Sequence, residues 1–181
     1  MKRSQALKLV LIGAPVLTLA WCTSRPTTGY AYATAEQCTR DGVFSNTVCA
    51  REYANARSAH ALQAPRYVQS GDCEADFGVG GCEGPQPYYA PRMSGFLINR
   101  EPAGGSNVPD VDLAHDRRYD SRPLYRSLDN PNTWRTGSNV AVADRSGRVA
   151  VDRAAQTVDT GRFVSRGGFG QAAAARASGG G

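Results

Sequence analysis

The chain has 181 residues, 20 of them Gly and 10 Pro, and a formal net charge of +5. That length allows one domain with extensions. Without Lys2, Arg3 and Lys8 the 21 basic residues become 18 against 16 acidic ones, a net of +2, which is too weak to argue for a nucleic-acid partner.

The N-terminus reads as an export signal. Lys2, Arg3 and Lys8 lead into the apolar run Leu9–Ala20. Such a run is shorter than the roughly 20 residues of a membrane span and fits the roughly 7–15 of a secretory hydrophobic region. Two cleavage schemes are open. In the first, residues 1–21 are removed, and Leu19-Ala20-Trp21-Cys22 has the form of a bacterial lipoprotein box with Cys22 as the lipidated residue. Trp21 departs from the small residue usual before that cysteine. In the second, Ala31-Tyr32-Ala33 is an A-x-A site and the cut follows residue 33. Either scheme withdraws Cys22 from the thiol pool and leaves Cys38, Cys49, Cys73 and Cys82, an even set.

Residues 34–84 read as a small α-helical module stabilised by disulfides. A weak internal repeat runs through it. Tyr32 and Tyr67 each precede a cysteine (Cys38, Cys73) by six residues, and Asp41 and Asp76 each follow that cysteine by three. Thr34 with Gln37 has the capping-box form, and Ser70 can cap the second turn. The best helix runs from about Asn46 to Ala64, alanine-rich and stopped by Pro65. Its apolar stripe is thin, so covalent cross-links must supply stability that the core lacks. Each bridge closing a loop of about ten residues contributes roughly 2.5–3 kcal/mol. Of the three possible pairings, the repeat favours Cys38–Cys49 with Cys73–Cys82. The spacings C-x10-C and C-x8-C, without an adjacent histidine, argue against zinc. His60, in mid-helix, has no partner motif that would make it a base.

Residues 85–122 have linker composition, as in Pro85-Gln86-Pro87-Tyr88-Tyr89, with a short apolar patch at Met93–Ile98. Within them Asp110, Asp112, His115 and Asp116 lack the glycine and distal glutamate of a calcium loop, and Arg117 and Arg118 neutralise them; they read as a solvated loop. Residues 123–166 contain a β-hairpin signal, Asn139–Ala143 and Arg148–Asp152 alternating about Asp144–Gly147. Residues 167–181, rich in Gly and Ala, read as a disordered tail. Arg166 and Phe169, in Arg166-Gly167-Gly168-Phe169-Gly170, are candidate partner-binding residues, an aromatic anchor among glycines. The fold expected is thus a helical disulfide module followed by a largely irregular C-terminal region with one hairpin.

Several runs together resemble a known family. They are Cys49-x3-Tyr53, Ala64-Pro65-Arg66-Tyr67, Asp72 through Cys82, the stretch from Pro123 to about Gly147, and Ser165 through Gly170. The combination is similar to the YgiB family of bacterial envelope proteins, a domain of unknown function. The resemblance implies a lipoprotein located in the periplasm or at the outer membrane, with no established activity. Some members lie beside an ATP-grasp ligase resembling glutathionylspermidine synthase. The residues themselves offer no nucleophile elbow, metal set or phosphate loop, and no cofactor is expected. A non-catalytic protein that binds an envelope protein or polymer is therefore favoured over an exported enzyme or its accessory subunit.

Overall fold

The computed structural model describes residues 26–84, 88–100 and 119–179. The export segment with Cys22, the Pro85-Gln86-Pro87 stretch and the Asp110–Asp116 cluster lie outside the described residues. The first half carries β1 (Thr27–Tyr32), α1 (Ala35–Asp41), α2 (Asn46–Gln63), α3 (Ser70–Phe77), β2 (Cys82–Glu83) and β3 (Ala90–Pro91). The second carries β4 (Gly95–Arg100), β5 (Tyr119–Ser127), β6 (Asn130–Arg135), β7 (Ala141–Ala143), β8 (Gly147–Val151), α4 (Arg153–Gln156) and α5 (Gln171–Ser178).

Six strands form one antiparallel sheet in the order β7-β6-β5-β4-β1-β8. Its two edge strands, β7 and β8, lie against each other, so the sheet curls into a nearly closed barrel. This overturns the expectation of a mainly helical module with an irregular C-terminal region and one hairpin. The hairpin residues do form strands, but β7 bonds to β6 and β8 to β1. Each half-buried valine strand needs a surface to cover it, and a two-stranded hairpin alone is marginal. The expected linker supplies β3 and β4, and the expected disordered tail holds α5.

The strand residues alternate between two cores. In β1 and β4, Tyr30, Tyr32, Phe96 and Ile98 point outward beneath α1 and α2, with Cys38, Cys49 and Ala56. Ala31 and Leu97 point into the barrel with Leu124, Trp134 and Val151. A strand buried on both faces loses the polar–apolar alternation that marks a one-sided sheet. Polar side chains that enter these layers are matched. Glu52 of α2 accepts from Ser121 Oγ at 2.7 Å and from Asn55 Nδ2 at 3.1 Å. Arg122 donates to Asp120 Oδ2 at 2.8 Å through Nε, and through Nη1 to the carbonyls of Ala155 and Thr157.

α1 and α2 have side-chain caps: Thr34 Oγ1 accepts from Gln37 N at 3.2 Å, and Ser45 Oγ accepts from Val48 N at 3.3 Å. At α3 the cap position belongs to Gln69 rather than Ser70, which is the first helical residue.

Candidate functional site

Disulfides join Cys38 to Cys49 and Cys73 to Cys82. Each bridge sits beside a tyrosine–aspartate bond of the same design. Tyr32 Oη donates to Asp41 Oδ2 at 2.6 Å, and Tyr67 Oη donates to Asp76 Oδ2 at 2.8 Å. Cysteine and aspartate stand three apart on one helix face, which brings the carboxylate back over the tyrosine ahead of the helix. Burial, reinforced by the bonded carboxylate, pushes both phenols well above their ordinary value, so both remain donors.

Asp76 does more than Asp41. Only 7% exposed, it also accepts from Gly167 N at 2.8 Å and from Phe169 N at 3.2 Å. The next residue is held from the other side: Gly170 N donates to Asn139 Oδ1 and Asn139 Nδ2 donates to Gly170 O, both at 2.9 Å. Gly170 has φ 100° and its α-carbon faces the Asp129 carboxylate so closely that a Cβ would lie 2.3 Å from Oδ1. Asp129 in turn accepts from Ala172 N at 2.9 Å, at the start of α5, and from Ser127 Oγ at 2.5 Å. Burial raises the Asp129 carboxyl, but these bonds, with that from Gln171 N and the charge of Arg135, outweigh it and hold it below its usual range. Asp76, Asn139 and Asp129 thus form a clasp over residues 167–172.

Phe169 is the hydrophobic part of this clasp. It is 3% exposed, with its ring 4.8 Å from Phe77 and 6.3 Å from Tyr125. Phe169, read from the sequence as a partner-binding candidate, lies inward in this fold: the side-chain acceptors of Asp76, Asn139 and Asp129 hold the backbone around it and the ring packs on Phe77. Arg166 is exposed on the same loop.

Two outward features remain. The first is the loop Gly78-Val79-Gly80-Gly81, closed at its base by Cys73–Cys82. Gly78 N donates to Glu74 O, Gly80 N to Glu74 Oε1 and Arg92 N to Gly81 O. Val79 is 96% exposed at its tip, and Leu128, 62% exposed, lies over Gly78. The second is a shoulder at the C-terminal end of α2. Arg66 N donates to Arg162 O and Val164 N to Arg66 O, which lays residues 162–164 alongside Arg66. The Arg66 guanidinium is 4.7 Å over the Tyr88 ring, and Tyr88 meets Phe163 edge-on at 6.3 Å. A cleft of about 290 Å³ opens beside it, lined by Ser138, Thr157, Val158 and Arg162 among others.

A family described as a protein of unknown function (DUF1190) matches residues 27–180. The chain belongs to that family. It is the family known as YgiB, so the resemblance read from the cysteine runs and the Ser165–Gly170 segment is upheld. No solved structure matches the chain. The matched span includes both disulfides and every clasp residue, so several of the family-like runs build the fold rather than a surface.

One polar chain could carry chemistry in this family member. His60 Nε2 is 3.2 Å from Glu83 Oε1, and His60 Nδ1 is 2.9 Å from Tyr125 Oη. A carboxylate only accepts, so the neutral ring carries its proton on Nε2 and Tyr125 donates to Nδ1. The triad has the form of an acid–base relay, but Tyr125 is fully buried, and burial pushes its phenol far up. The solvent-facing end of the chain is Glu83, whose side chain is 48% exposed, while the Tyr125 phenol stays a buried donor. Among the described residues no group of three His, Cys, Asp or Glu could hold a metal, and no helix is long and apolar enough to cross a membrane.

The relay does predict a pH dependence. Burial lowers the His60 pKa below 6.5, against the opposing pull of Glu83. The unfolded chain therefore binds this proton more readily than the folded one. His60 contributes stability above 6.5 that is lost as pH falls through its depressed value. Thermal melts should show Tm falling across this window, and His60→Gln should flatten that slope. An identical slope in the variant would assign the dependence elsewhere.

Proposed function

We propose that this family member is an exported envelope protein, anchored by a lipid on Cys22, that acts by binding an envelope protein and carries out no reaction of its own. Two disulfides are compatible with export. The observation that carries the binding role is the Val79 loop. Single exposed apolar residues are common. Val79 and Leu128 differ in that their backbones are held: Leu128 lies over Gly78, the residue before Val79, a disulfide and backbone bonds hold the loop, and Leu128 N donates to Asp76 O at 2.8 Å. A preformed apolar knob loses little freedom on binding, which suits a protein partner with an apolar pocket.

Val79→Asp should remove a partner that crosslinks to the wild-type chain in intact envelopes while leaving Tm unchanged. Undiminished recovery of that partner would exclude the loop. An accessory role beside an envelope enzyme is the second reading; it uses the same knob, and the identity of the crosslinked protein separates the two.

A further inference from the structure

The shoulder has a composition that the protein-binding role leaves unused. Leu62 is 68%, Val158 63% and Phe163 64% exposed; Phe163 lies alongside Arg66, and Val158 lines the same cleft as Arg162. Gly161, at φ 59°, lets the chain press onto the end of α2, where a Cβ would lie 2.4 Å from Leu62 O; this seats Val158 through Phe163 against Leu62 and Arg66. Among the described residues neither arginine forms an ion pair with a carboxylate. The acid of the adjoining cleft, Asp159, is buried, with Oδ2 accepting from Gly137 N at 2.8 Å.

We propose that this shoulder docks on an anionic lipid surface and sets the orientation of the domain on its membrane. Two observations select lipid as the occupant. The first is where the N-terminal chain arrives. Gln156 Nε2 donates to Thr27 Oγ1 at 2.9 Å, so the start of β1 lies against α4, and Val158 follows Gln156 by two residues. Only four residues lie between Cys22 and Thr27, so the five steps reach at most about 18 Å when fully extended. A lipid on Cys22 therefore holds the shoulder end of the barrel close to the bilayer. The second is charge and shape: apolar side chains flanked by arginines that have no carboxylate partner among the described residues match an interface of acyl chains below anionic head groups. Residues 85–181, to which Val158, Arg162 and Phe163 belong, hold thirteen Arg against nine acidic residues, which agrees in sign. The first of these observations rests on the lipid anchor, the second does not, and neither rests on the Val79 loop.

The test uses the full chain purified from its own envelope and reconstituted with vesicles of phosphatidylcholine alone or mixed with phosphatidylglycerol. Hydrogen exchange is followed by mass spectrometry. Amides of residues 158–164 should exchange about ten-fold more slowly on the anionic vesicles. Arg66→Gln with Arg162→Gln should abolish the difference, since each arginine near such a surface accounts for roughly a five-fold factor. Val79→Asp should keep it. Equal exchange on both vesicles, or protection that survives the double substitution, overturns the proposal. Protection by an anionic polysaccharide without protection by vesicles would also overturn it, in favour of a polymer. The mass of the Cys22 peptide is read in the same experiment: an unmodified cysteine with protection intact removes the anchor and leaves the docking surface standing.

Discussion

Asp76→Ala should cost about 3–5 kcal/mol and free the C-terminal segment. The carboxylate serves three donors, Tyr67 Oη, Gly167 N and Phe169 N, in a site that water scarcely reaches. Each buried donor left without an acceptor costs about 1–3 kcal/mol. Asp76→Asn keeps one acceptor oxygen and turns an amide NH₂ toward a donor, so its loss should be intermediate. Urea unfolding reads both as lowered midpoints at constant slope. Proteolysis should follow the same order, with new cuts at Arg166 and Arg176 in the alanine variant. A stability for Asp76→Ala within error of wild type would mean that the segment is held by something other than this carboxylate.

Phe169→Ala should be of similar size, about 3–5 kcal/mol, because it empties a site enclosed by Phe77, Tyr125 and Ala64. Arg166→Ala, three residues earlier and exposed, should stay within about 0.5 kcal/mol. This contrast separates the two residues that the sequence alone couples as one recognition motif. Asp76→Ala and Phe169→Ala should also combine to less than their sum, since either one releases the same loop. Full additivity in the urea midpoints would show that ring and carboxylate hold independent structures.

The extent to which this fold is legible follows from where each signal lies. The long α2 is local: alanines, a Ser45 cap and Pro65 suffice to place it. The cysteine repeat is also local, and its tyrosine–aspartate spacing has a direct counterpart in two hydrogen bonds. The sheet is not local. β1 falls just after the export segment, and β4 looks like an isolated apolar patch. β5 carries the buried Arg122 and Pro123, both of which argue against a central strand. Pro123 is tolerated because β6 pairs only with Tyr125 to Ser127, so at Pro123 the strand has one ladder partner.

The site was less legible still. Glycines around Phe169 suggest flexibility, whereas Gly170 is there because Asp129 leaves no room for a side chain. The bond between His60 and Tyr125 joins residues 65 apart, and nothing in either neighbourhood announces it. The Val79 knob had a faint signal in its Gly-Val-Gly-Gly sequence between two bridged cysteines, but its exposure depends on how the disulfide and Arg92 hold the loop.

The division of labour is therefore between an inward clasp built on Asp76 and Phe169 and an outward knob built on Val79 and Leu128. The most direct measurement is the yield of the crosslinked partner from intact envelopes, normalised to folded protein. Wild type, Arg166→Ala and Val79→Asp would be compared. A yield that collapses in Val79→Asp alone, with all three melting together, is the expected result. A partner that persists with Val79→Asp and disappears with Arg166→Ala would place recognition on the clasp loop instead.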